Sequence, residues 1–569
     1  MLDLVVRGAI VYDGRGGTGQ RADVGVRDGR VVSVGTTDEP SRATVDAGGL
    51  ALMPGIVDVH THYDAQVTWD PMLSPSPSLG VTTCVIGNCG FGIAPSPPRH
   101  RALLLKNLSV VEGMDLDALL TGTRWGFETF PQYLEALRAC KPYANIAVLA
   151  QHSTIRTAVM GEAACERNEP TVDELAAMRE TVRGALRAGA IGFASSFSPN
   201  HSGWGSRPMP STIATDAELA ALVGVLGEER RGVFVSATGS RATPGYMENI
   251  AATTGRPAFI VTVLTMQNDA YPDRALGLYE QCRAALARGR EVYIHSSCQP
   301  LSFDFNLRDP YVLYSHDAFA RVKQAGKEDL PGIYVDPAFR DAFRANLAAP
   351  KAGVIFSGDW RKIEVGEAAT ERGRALEGKS IAELARVAGI DPLDAFFDLA
   401  FAESLDTTFV GKFFNSDDDG VQPLLQHPAG VVALSDAGAH LKFLCDAGFG
   451  LHFLGHWVRE RGAFTLAEGV RRLTSDPAAK YRIPERGRIA PGAWADLLLF
   501  DPATVGISPL ERVADLPGGG TRMIRRPRGV HGVWVNGVRV SDGERYAALE
   551  GGPGRVLDRF ESRVKEHRA

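Results

Sequence analysis

Several features that would redirect the reading are missing from this chain. It has no run of about 18 consecutive apolar residues, the length a membrane-spanning helix needs, so no membrane association is expected. Basic residues are in slight deficit, 61 Lys and Arg against 67 Asp and Glu. Nucleic-acid binders concentrate positive charge to follow phosphates, so that class of partner is not expected either. Cysteines are few and scattered, seven in 569 residues at positions 84, 89, 140, 165, 282, 298 and 445. An odd, dispersed set does not build a disulfide framework and suits a reducing compartment. The opening Met1-Leu2-Asp3-Leu4 lacks the basic stretch and apolar core of a secretory signal. A cytoplasmic protein acting on a small molecule is the expectation, with homo-oligomer formation left open.

What the chain does contain is apolar residue enough, 44%, for a large buried core. Three short β-branched runs near the start (4–11, 22–26 and 30–34) are separated by glycine-rich turns, and a matching group lies near the end (495–500 and 532–540). The second group carries Asn536-Gly537, a two-residue hairpin signal. Neither group has strands enough to stand alone, so both termini are expected to combine into one small β-sandwich domain, residues 1–52 with 484–546.

Residues 53–483 then form a single inserted domain. In it, apolar runs of strand length alternate with amphipathic helical stretches, the pattern of parallel strands joined by crossover helices. The strands fall at 55–60, 81–86, 146–150, 190–194, 233–236, 258–264, 291–295 and 431–435, and eight is the number that closes a (β/α)8 TIM-like barrel. Capping-box starts are expected at Thr171 with Glu174 and at Thr215 with Glu218. Residues 299–430 read as an insertion before the eighth strand, and 547–569 as a polar tail, either a short helix or disordered.

The chemistry concentrates at strand ends. Ile56-Val57-Asp58-Val59-His60-Thr61-His62 ends an apolar strand in two imidazoles at spacing i, i+2, which puts both rings on one face. At the C-terminal edge of a barrel strand that face looks into the mouth, and neutral imidazole is a leading zinc ligand. Cys89 follows the second strand in a turn bracketed by Gly87 and Gly90; isolated cysteines are usually inert small hydrophobes, but here the thiolate can approach a metal. Asp436 ends the eighth strand. A carboxylate there either ligates the metal and takes a proton from water, or merely caps the next turn.

Together with Tyr63-Asp64, the stretch from Gly80-Val81-Thr82-Thr83 to Gly87-Asn88-Cys89-Gly90, His152-Ser153-Thr154-Ile155-Arg156, Ser435-Asp436 and the late block 486–497, these motifs make the chain resemble the N-acyl-D-amino-acid deacylase (D-aminoacylase) branch of the amidohydrolase superfamily over nearly its whole length. The resemblance implies a zinc barrel hydrolase cleaving an amide, with His60 and His62 at one metal position, Cys89 as a thiolate ligand and Asp436 as the base. It also implies a histidine ending each of two middle strands, and a nearby lysine that pairs with a substrate carboxylate. This chain instead has Ser236-Ala237-Thr238 and Leu264-Thr265-Met266 there. Neither alanine nor methionine replaces an imidazole at zinc, so His60, His62, Cys89 and Asp436 are expected to hold one Zn2+, another divalent metal remaining open.

His152, His295 and His440 either complete the metal shell or touch substrate, or are hydrogen-bonded core histidines, and His201 on the loop after the fourth strand is a substrate-binding candidate. Arg156 and Arg207 are alternatives for the substrate clamp, or else structural ion-pair partners. Besides hydrolysis of an N-acyl amino acid, a cyclic amide substrate, metal-assisted lyase chemistry and a non-catalytic scaffold role stay open at this point.

Overall fold

The computed structural model describes residues 1–560 apart from 199, 200, 238, 240, 262, 270, 352, 353 and 440–445. The chain divides into two compact units, one of Met1–Thr265, Gly277–Cys298 and Leu424–Ala569, the other of Met266–Leu276 and Gln299–Pro423.

The first unit holds an eight-stranded parallel sheet whose spatial order follows the sequence: Ile56–Asp58, Val81–Ile86, Asn145–Gln151, Gly192–Ser196, Val233–Ala237, Ala258–Val261, Val292–Ser296 and Gly430–Val432. All eight lie where the alternating pattern placed them, and nearly every residue in them is buried, as expected of parallel strands covered on both faces. The sixth is shorter than expected, giving way after Val261 to a 3-10 turn at Val263–Thr265. The first and eighth strands meet just past their ends, where Thr61 and Ala437 form a parallel bridge and the His62 N–H donates to the Ala437 carbonyl at 2.7 Å. That seam closes the barrel.

In the same unit the two termini join in one mixed sheet of eight strands. Leu497–Phe500 pairs antiparallel with Ala51–Pro54 on one side and with Val530–Val535 on the other. Leu4, Val6, Val24, Val26, Leu52, Leu497, Leu499 and Trp534 share its apolar core. Asn536 and Gly537 turn the last hairpin with φ of 48° and 80°, the left-handed pair that a type I′ turn requires.

Two expectations need correction. The tail beyond Ala547 is neither helical nor without partners as far as Phe560: it runs extended along the start of the third barrel strand. The Ile146 N–H donates to the Arg555 carbonyl at 2.9 Å, and the Leu557 N–H to the Ile146 carbonyl at 2.8 Å. The capping box at Thr171 forms, with Glu174 reciprocating, but the one at Thr215 is half made. Thr215 accepts from the Glu218 N–H, while the Glu218 carboxylate turns inward to His152 and Arg156.

The second unit carries a three-stranded antiparallel sheet with Thr408–Phe414 between Leu301–Phe305 and Ile363–Glu367. Aromatic rings fill it, including Phe305, Phe396, Phe409 and Trp360. Among the described residues no helix is long and apolar enough to cross a membrane.

Candidate metal centre at the barrel mouth

Asp58, His60 and His62 alternate along one stretch of backbone, so all three side chains point into the barrel. Asp58 is fully buried and accepts hydrogen bonds from the His60 N–H, at 3.2 Å, and from the Ser435 hydroxyl. Ser435 also donates to the His60 carbonyl at 3.3 Å. These bonds tie the strand carrying the histidines to the one carrying Asp436.

The consequence is convergence. One oxygen of Asp436, Oδ1, lies 3.1 Å from Nε2 of His60 and 3.5 Å from Nε2 of His62. The Cys89 sulfur lies 3.7 Å from that same His60 nitrogen. One ligand atom from each of His60, His62 and Cys89 falls within 4.8 Å of the others, and among the described residues no other group of three histidine, cysteine or acidic side chains is gathered so closely. Two imidazoles, a sulfur and a carboxylate oxygen form the donor set that borderline-soft zinc takes, so the residues fit that ion.

Backbone strain is spent at the same place. Cys89 and Asp436 have φ of 56° and 48°; a left-handed conformation in a non-glycine residue costs about 1–3 kcal/mol and persists where the surroundings impose it. Around Cys89 they do. A Cβ on Gly87 would stand 2.6 Å from the Leu149 carbonyl oxygen, and one on Gly90 would stand 2.8 Å from that of Ala194. Asp64 pins the turn, accepting from the Gly87 N–H and from Gln151 Nε2, each at 3.0 Å. Burial pushes the Asp64 carboxyl up to about 7.

The charges are mutually dependent. Burial opposes ionisation of Asp436, but hydrogen bonds from His60 and His62 outweigh it and hold the carboxyl well below the usual range. Burial likewise opposes a charged His60; bonding and attraction to Asp436 and Cys89 prevail and push it up to about 9.

Two partners of the histidines were not evident from sequence. Glu112, buried just past the helix Arg101–Val111, places Oε1 3.4 Å from Nδ1 of His62. Its only signal is a lone carboxylate closing an apolar helix turn. Tyr481 bonds His295, which in turn meets His60 from behind.

The other candidates separate clearly. His152 and Arg156 are each buried and bonded within the protein. His152 is fully buried between Ser195 Oγ (2.8 Å) and Glu218 Oε1 (2.9 Å). Arg156, equally buried, gives its five N–H bonds to Glu218 and to the carbonyls of Ala164, Pro210, Arg167 and Asn168. His295 sits on the Nδ1 side of His60, away from Asp436 and Cys89, so it is not placed as a fourth ligand. His201 bonds Ser196 Oγ at 2.7 Å and stacks edge-on against Phe91, two residues past Cys89. Arg207 makes exposed ion pairs with Glu162 and Glu166 at 3.5 Å. His440 and Thr238 lie outside the described residues.

Known proteins share this architecture along its length. N-acyl-D-glutamate deacylase of Alcaligenes xylosoxydans xylosoxydans is 30% identical over 510 residues, 89% of this chain and 88% of that one. The crystal structure of N-acyl-D-glutamate deacylase from Bordetella bronchiseptica, complexed with zinc and a phosphonate mimic of the tetrahedral intermediate, superposes with a TM-score of 0.64 at 27% identity, covering 98% of this chain and 100% of that one. A D-aminoacylase structure, described for its binuclear metal centre with one-metal activation and second-metal attenuation, superposes at 0.63 with 26% identity and the same coverage. The sequence pattern of the Amidohydrolase family matches residues 43–541, and the chain belongs to that family: it is a metal-dependent hydrolase acting on C–N bonds.

Proposed function

We propose that this chain cleaves the amide of a small N-acyl amino acid with one zinc ion held by His60, His62 and Cys89 and with Asp436 as general base and acid. The observation that carries the reading is the meeting of four donor side chains, from the first, second and eighth barrel strands, around His60 Nε2. His60, His62 and Cys89 would hold zinc there, and the ion would supply Lewis acidity towards the scissile carbonyl and a lowered pKa for water.

Asp436 performs the proton transfers. A cation held beside it would favour its ionised form, ready to take a proton from the attacking water and return it to the leaving nitrogen. Its side chain is 16% exposed while those of His60 and His62 are 1% and 4%, so the carboxylate is the most accessible of the three. His201, beside Phe91, is the candidate for touching the substrate.

A single ion accords with the absence of histidines at the ends of the fifth and sixth strands, which leaves the second position of a binuclear centre short of imidazoles. An N-acyl-D-amino acid is the first substrate to try, on the names of the relatives.

Two measurements test this. Chelator-free protein should carry about one equivalent of zinc, and a metal content below about a tenth of an equivalent would favour a scaffold. Incubation with N-acyl-D-amino acids and with cyclic amides, followed by mass spectrometry, should detect the gain of one water; products without it would indicate lyase chemistry.

A further inference from the structure

Nε2 of His60 faces Asp436 and Cys89, and Nδ1 faces the other way, into the barrel. There it meets Nδ1 of His295 at 3.2 Å, with the two rings nearly perpendicular at 85°. The far nitrogen of His295, Nε2, meets the Tyr481 hydroxyl at 2.7 Å. His60, His295 and Tyr481 are each at most 2% exposed. The tyrosine ring is held by Phe259, at a centroid distance of 4.3 Å.

We propose that His295 and Tyr481 are positioning residues that fix His60 in the one tautomer able to bind the metal. A neutral imidazole carries a single N–H. When Nε2 offers its lone pair to a cation, the proton resides on Nδ1 and needs an acceptor. The facing Nδ1 of His295 supplies one. His295 must then carry its own proton on Nε2, which donates to the Tyr481 oxygen. Each ring nitrogen along the line then has one defined role, and the ring angle of His60 is set by a partner that does not touch the ion. Metal-bound histidines commonly gain orientation and basicity from such an outer partner. His62 has its own in the Glu112 carboxylate, at 3.4 Å, so the two ligands are supported by different chemistry, one charged and one neutral.

The inference rests on the hydrolase reading but is tested by zinc affinity instead of turnover. Competition with a chromophoric chelator would compare the parent with His295→Leu, His295→Gln and Tyr481→Phe. The leucine variant keeps the volume and removes the acceptor, and should bind zinc about 10- to 100-fold more weakly. Glutamine, whose side-chain oxygen accepts from Nδ1, should recover most of that loss. Tyr481→Phe removes a single oxygen and reports even where the leucine variant fails to fold; a severalfold loss is expected. Affinities within twofold of the parent in both Tyr481→Phe and the leucine variant would overturn the relay while leaving the hydrolase reading standing, as would a glutamine variant no better than leucine. A parent that takes up no zinc would overturn both.

Discussion

Asp436 and His60 approach to 3.1 Å across the seam where the last barrel strand meets the first, although 376 positions of sequence separate them. The contact is made by backbone as much as by side chains. The Thr61–Ala437 bridge and the Ser435–Asp58 hydrogen bond flank it, and the left-handed φ of Asp436 turns the carboxylate towards both imidazoles.

Asp436→Asn keeps the shape and removes the base. Turnover should fall by about 100- to 10,000-fold, the usual worth of a positioned proton-transfer group, with the melting profile retained. Steady-state kinetics beside thermal unfolding would check it, and a rate within tenfold of the parent would refute the role.

Cys89 is half-buried, whereas Cys84, Cys165, Cys282 and Cys298 are buried. Zinc should therefore shield Cys89 from iodoacetamide while leaving the labelling of half-buried Cys140 unchanged. Peptide mapping with and without zinc reads the difference, and equal labelling of Cys89 in both would exclude the sulfur as a ligand.

Gly87→Ala should disturb the same turn. The added Cβ meets a carbonyl oxygen at 2.6 Å on a residue whose φ is 84°. Zinc affinity and turnover should drop together, with Cys89 displaced from its partners; unchanged zinc affinity would mean that the turn does not set the sulfur.

Glu218→Gln bears on the buried trio His152, Glu218 and Arg156. Removing the charge that faces a fully buried guanidinium should lower stability by about 3–5 kcal/mol. KM should change little, because Arg156 has no donor left for substrate. Denaturant midpoints and kinetics together decide, and a stable variant with a raised KM would return Arg156 to the substrate site.

The sequence made the strands and their order legible because buried parallel strands are continuous apolar runs, and it made the His60–His62 pair legible because its spacing is local. The turn at Asn536-Gly537 was readable for the same reason. What remained hidden depends on where distant elements pack. Glu112 lies 50 positions from His62, and Tyr481 lies 186 from His295, so nothing in either neighbourhood announces its partner. Glu218 misled because its local pattern was that of a helix cap, and a buried arginine competed for the carboxylate and won.

X-ray absorption at the zinc edge of the metal-loaded protein tests the site most directly. One sulfur at about 2.3 Å, together with imidazole nitrogens at about 2.0–2.1 Å, is the shell that His60, His62 and Cys89 would provide. A spectrum with no sulfur shell, or one left unchanged by His60→Ala, would contradict it.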